Sequence, residues 1–271
     1  MLHLLQLEWK KVQYLTIFRV LVGFYLLALP ALLLLLKYFP EPPVDYFSKD
    51  VFFMFPSVWA YLGYIGNWLC FFFFGFLSVI SVTNEFANRT LRQNIITGLS
   101  RTDFFVAKFS FILAISFFAT VYYMLVGGLI GFFNTETIYL SKVLQEAQLF
   151  PRYFLMCFGY MTIGLLIGLL IRRTGISLFI YLAYAMIFEK IIRYGIHYRY
   201  LVEDKSIHFY PINALSDLMP FNSPFNEMAK EFAEKNGFEI FLSPSEAAIT
   251  SLIYIALFLG LAYRILARRD L

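Results

Sequence analysis

The feature that most constrains this chain is a series of nearly unbroken apolar runs, each about 20 residues long. That is the length an α-helix needs to cross a hydrocarbon layer of roughly 30 Å. Strands of a membrane barrel would instead alternate apolar and polar residues, so the runs read as helices. Sixty per cent of the 271 residues are hydrophobic and only 15% are charged. A soluble domain of this size cannot bury that much apolar surface, and part of it must face lipid.

Six runs are recognised: Thr16 to Leu36, a second within Ser57 to Val82, Phe104 to Phe133, Tyr153 to Ile171, Ile176 to Ile192, and Ala247 to Leu266. Ahead of them, residues 1–15 place Leu5, Trp9 and Val12 at helical spacing among polar neighbours, the pattern of a helix lying in the membrane interface. Glu8, Lys10 and Lys11 precede the first run and no small-residue cleavage site follows it, so that run is expected to be retained. The expected fold is all-α, a polytopic membrane protein with residues 1–271 as one transmembrane unit. Two connections are long, an inner one over 83–103 and an outer one over 196–245 before the last span. Within the latter, Ser223 to Gly237 has the pattern of an amphipathic helix. With both termini inside, the inner segments hold 12 of the 22 Lys and Arg residues against four acids, which fixes the expected orientation.

Catalytic constellations are missing. The chain has no zinc-protease His-Glu-x-x-His, no Gly-x-Ser-x-Gly elbow and no phosphate-binding Gly-x-x-x-x-Gly-Lys-Ser/Thr loop. No metal site is expected, and the modest net charge of +4 does not suggest a nucleic-acid partner. Cys70 and Cys157 lie in apolar runs and read as packing residues. Gly164 and Gly168 form a small-residue face suited to close helix contact. Glu189 and Arg193, near the outer end of the fifth run, are four residues apart and are expected to pair along one helix face, as a gate or as a structural ion pair that snorkels to the interface.

The stretch between the second and third runs carries the most information. Leu91, Ile95 and Leu99 recur at fourfold spacing, Gly98 is a helix stop, and Ser100 with Asp103 forms a capping box for the third span. The result is a helical elbow tied to two spans. Glu85, Arg89-Thr90-Leu91-Arg92, Gly98, Ser100-Arg101 and Lys108 resemble the motif found after the second span in ABC type-2 permeases, the transmembrane subunits of ABC exporters. Members often carry a proline where this chain has Gly98-Leu99.

The resemblance implies that the elbow is a coupling helix docking on a separate ATP-binding subunit. Glu85, Arg89, Arg92 and Arg101 would then supply polar contacts and Leu91, Ile95 and Leu99 apolar ones. It also implies a second permease copy or homologue, ATP and Mg held only in the partner, surrounding membrane lipids, and a cytoplasmic (inner) membrane. The apolar, aromatic-rich spans suit a lipid-like or amphipathic cargo. A non-transporting scaffold or assembly factor is the alternative; an intramembrane enzyme is disfavoured by the missing constellations.

Overall fold

In the computed structural model, residues 2–38, 49–96, 98–200, 205–220 and 241–268 are described. The helix expected over Ser223 to Gly237 lies outside them. Among the described residues the chain is helical throughout, with no strand. Six helices are long and apolar enough to cross a membrane: Thr16–Tyr38, Ser57–Ala87, Arg101–Asn134, Leu140–Ile171, Thr174–Tyr200 and Pro244–Arg268. The N-terminal helix, Leu2–Val12, packs beside the third of these.

Local chemistry sets several of the boundaries. Ser100 opens the third span as read from sequence: its hydroxyl accepts from Asp103 N at 3.0 Å, and Asp103 Oδ2 accepts from Ser100 N at 3.1 Å. The sixth span begins in the same way, with Ser243 N donating to Glu246 Oε2 at 2.9 Å. Gly98 takes φ +106°, a left-handed conformation that ends the elbow helix Thr90–Ile96 and that glycine adopts without the Cβ penalty. Pro30 lies within the first helix, which runs unbroken from Thr16 to Leu35.

The second, third and fourth spans make the centre of the bundle. Between 56% and 78% of the apolar stretch of each is buried, against 17% for that of the first and 28% for those of the fifth and sixth. Lipid gives helices little hydrophobic reason to associate, so close backbone approach and polar contacts hold such centres together. The fourth span shows this. A Cβ on Gly164 would stand 2.6 Å from Gly75 O of the second span, and one on Gly168 would stand 3.1 Å from Val82 Cβ. The small-residue face therefore serves packing within the chain. Nearby, the Cys70 and Cys157 sulfurs face each other at 2.9 Å as free, buried thiols, and Tyr123 stacks on Tyr153 at 4.2 Å.

Three stretches of the described spans take π-helical winding. A π-helical turn occupies Cys70–Phe74 in the second span, and two more occupy Tyr184–Phe188 and Ile191–His197 in the fifth. The fifth-span turns lie at its middle and in its second half, where the segment 205–219 folds back against the bundle. Leu215 and Met219 of that segment are buried, packed over Gly159 and Gly63.

Candidate functional site

The two ends of the bundle each hold a cluster of polar side chains. At the elbow end, Lys108 of the third span is 2% exposed, as is Glu8 of the N-terminal helix, and Glu85 on the last turn of the second span is 5% exposed. Lys108 Nζ donates to Glu8 Oε2 at 2.6 Å, to Glu85 Oε1 at 3.2 Å and to Ser81 O at 2.9 Å. Lys11 Nζ reaches the same two carboxylates, each at 3.1 Å. Two carboxylates thus meet two ammonium groups, and the cluster is neutral. Burial works against the Lys11 ammonium, but Glu8 and Glu85 more than offset it and hold its pKa above the ordinary lysine value.

This cluster joins four elements. Thr90, the first residue of the elbow helix, donates its hydroxyl to Glu85 Oε2. The elbow, the N-terminal helix and the third span are therefore fastened at one carboxylate. Arg101 adds a second tie by donating to Leu266 O at 3.1 Å and Ala267 O at 2.9 Å, at the end of the sixth span. Buried ion clusters of this kind contribute little net stability, but losing one member leaves an uncompensated charge. They favour moving as a body over coming apart.

Not every residue expected to meet a partner faces outward. Glu85 is occupied as described, and Leu91 is 2% exposed against the core. Both are internal anchors of the elbow and form no part of its outer face, because Glu85 sits on the bundle side of the last helical turn and Leu91 follows it inward. Leu99 is half-buried against the core. Arg89 is exposed, with φ 55° at the bend before the elbow helix. The side chains of Arg92 and Ile95 lie outside the described residues. Gln93 and Ile96 complete the described outward face, and Ile96 is 77% exposed. The fourfold spacing did not include Ile96; only its place one residue beyond Ile95 could have flagged it.

At the far end, Glu189 and Arg193 are both buried, and neither snorkels. Nor do they bond to each other. A π-helical turn repeats its contacts at i+5 and not i+4, so the expected pairing face is rotated apart. Glu189 accepts from Ile212 N and Asn213 N, each at 2.8 Å. Arg193 donates to Ile207 O at 2.9 Å and to Asn213 Oδ1 at 2.6 Å. The two charges together clamp the short helix Pro211–Ser216 and the turn before it. Asp217 continues the network, accepting from Asn213 Nδ2 at 2.9 Å and from Leu242 N at 3.1 Å. Burial pushes its pKa up to about 7, against the opposing pull of Leu242 N, Arg193, Asn213 and Arg152.

Beside this clamp lies a cavity of about 150 Å³. Tyr160 of the fourth span donates to Asn67 Oδ1 at 2.7 Å, and Asn67 Nδ2 donates to Ser216 Oγ at 3.0 Å. These form a polar floor; Trp68 and Phe71 of the second span and Met186 and Lys190 of the fifth make walls. In the sequence Asn67 is marked only as the main polar interruption of the apolar run within Ser57 to Val82.

A protein-family profile described as ABC-2 family transporter protein matches residues 51–271. The matched region contains the elbow, the far-end clamp and five of the six spans, and excludes Glu8 and Lys11. No curated protein matches the chain.

Proposed function

The chain belongs to the ABC-2 family of transporter proteins, a family of membrane transport components, and from that premise we propose that it is the permease subunit of an ATP-driven exporter. ATP, with Mg, is bound and hydrolysed by a separate ATP-binding subunit, and the permease works with a second copy or homologue of itself. The elbow lies on the cytoplasmic side of a cytoplasmic membrane, where the partner ATPase docks on it. Transport carries a lipid-like or amphipathic substrate.

The observation that carries this reading is the fastening of the elbow. Its inner side is held by Glu85, Lys108, Lys11 and Glu8, while Arg89, Gln93 and Ile96 are left exposed. A surface loop serving only to join two spans needs no such anchoring. A lever does: a push on the outward face reaches the N-terminal helix and the third span through one buried group. In this scheme ATP binding draws two ATPases together and biases the spans between two arrangements, by as much as the ATPase prefers one arrangement over the other. Charge supports the side assigned to the elbow, because the short connections at that end are rich in Arg and Lys.

The test is purification of the tagged chain from its native membranes, with assay of ATPase activity in the material that accompanies it. Recovery of an ATP-binding protein whose turnover the chain alters supports the proposal. Recovery without one, under conditions that preserve the inserted chain, would favour a scaffold.

A further inference from the structure

We infer that the far-end cavity holds the anionic, oxygen-rich headgroup of a membrane amphiphile whose hydrocarbon chains remain in the lipid. The inference deepens the permease reading by giving its substrate a chemical class and a place, and it rests on that reading for the word substrate alone.

The first support is an imbalance of donors. Asn67 is 4% exposed, and of its two Nδ2 hydrogens one goes to Ser216 Oγ. The other has no acceptor among the described residues. Ser216 receives that bond, and its own hydroxyl hydrogen has no acceptor there either. An unused donor on a buried amide costs free energy unless water or a ligand accepts from it. The floor of the cavity therefore calls for oxygen acceptors.

The second support is charge. The Glu189 carboxylate is engaged by two backbone N–H groups, and the Arg193 donors by Ile207, Asn213 and the His208 ring. One acid and one base so committed leave the cavity's balance to Lys190, which lies on the wall, exposed and without a hydrogen-bond or ionic partner among the described residues. Counted over its described lining residues, the cavity carries one positive charge in excess, and a single anionic group such as a phosphodiester neutralises it.

The third is shape. The cavity is large enough for a compact headgroup and too small for acyl chains as well. Of its lining residues Trp68 and Met186 are 45% and 44% exposed, and Lys190 is exposed beside them, so the cavity reaches the outer surface of the bundle there. An occupant enters sideways from lipid, with its chains left among those side chains. All three π-helical turns flank this region, and such turns often mark functional sites because they re-aim side chains within a helix.

The test uses the full chain in detergent, with lipid retention read by native mass spectrometry. The probes are palmitoyl-oleoyl phosphatidylglycerol and the neutral diacylglycerol with the same chains. The wild-type chain should hold the phosphatidylglycerol about tenfold more tightly than the diacylglycerol. Lys190→Gln, an exposed change, should remove most of that preference with the thermal midpoint unmoved. Equal retention of the two lipids by the wild type, or an undiminished preference in Lys190→Gln, would overturn the inference. Free glycerol phosphate is the soluble arm: displacement of lipid by it at millimolar concentration would reassign the site to a soluble anion. No ATPase is needed for any of these measurements, so a negative result here leaves the permease reading standing. A failed ATPase recovery would likewise leave the lipid result intact.

Discussion

Lys108 is the residue on which the elbow end depends. Its ammonium group lies between Glu8 and Glu85 with almost no exposure to solvent. Replacing it with Met would leave two carboxylates with Lys11 alone, a loss on the order of 3–5 kcal/mol for breaking a buried pair. Lys108→Met should therefore sharply lower the yield of inserted protein and its thermal midpoint in detergent. Lys108→Met combined with Glu85→Gln should recover much of both; a double variant worse than the single would show that the cluster is not the unit described. Nothing in the linear sequence brings these groups together. Glu8 reads as part of the polar face of an interfacial helix, and Lys108 stands out only through the family motif. Their meeting depends on how the N-terminal helix docks, a property of the folded bundle. Asp217 gives a second residue-scale expectation. Its pKa in the folded chain, about 7, lies above the value near 3.9 of an unfolded aspartate, so folding takes up a proton between those limits. Its contribution to stability is therefore greatest at low pH and declines as pH rises toward 7. Thermal midpoints measured between pH 5 and 8 should fall with pH in the wild type and run flatter in Asp217→Asn. Parallel profiles would dismiss Asp217 as the source.

Among the elements, caps were legible and faces were not. The boxes at Ser100–Asp103 and Ser243–Glu246 and the stop at Gly98 each involve residues within a few positions of one another, so local pattern suffices to find them. Which side of a seven-residue helix turns inward depends on the neighbours it docks against. Spacing alone put Leu91 on the partner face, and the bundle buries it. The same limit explains Glu189 and Arg193: the rule for pairs four apart presumes α-helical winding, and the π-helical turn leaves no recognisable mark in composition. The revised elbow makes a separable prediction. Ile96→Asp places a carboxylate on the exposed apolar residue, and Arg89→Glu reverses the neighbouring charge. Each should weaken recovery of the partner ATPase by tenfold or more, as expected of residues that anchor an interface, without lowering the amount of inserted chain. Leu91→Asp should do the opposite and reduce insertion or stability first, since it buries an unpaired charge within the bundle. Pull-downs of the ATPase, normalised to inserted protein, distinguish the two outcomes. If Ile96→Asp and Arg89→Glu both bind as the wild type does, the outward face is not the docking surface.

For the whole molecule the governing question is which end faces the cytoplasm. An even number of spans brings both termini to one side, and two contacts agree: Glu8 of the N-terminal helix meets Lys108, and Arg101 meets the last turn of the sixth span. The elbow and both terminal helices therefore share an end. Of the cations there, Lys11 and Lys108 are neutralised by Glu8 and Glu85. Among the described residues that leaves Lys10, Arg19, Arg89, Arg173, Arg264 and Arg268 exposed at this end, with few acids to offset them. Exposed Arg and Lys within a few residues of a span are the groups that resist translocation, so this end should be retained in the cytoplasm. The far end differs in kind, since Glu189, Arg193 and Asp217 are spent internally on holding the folded-back segment. In a cysteine-free background, Cys placed at exposed Ser141, in the first turn of the fourth span, should react in intact cells with a maleimide that cannot cross the membrane. Cys placed at Asn88, beside the elbow, or at Arg173, between the fourth and fifth spans, should react only after the membrane is opened. Retained insertion in each variant, checked by fractionation, makes the comparison fair. Labelling of position 88 from outside would place the elbow away from any cytoplasmic ATPase, and the coupling mechanism would fall with it, whatever the far-end cavity binds.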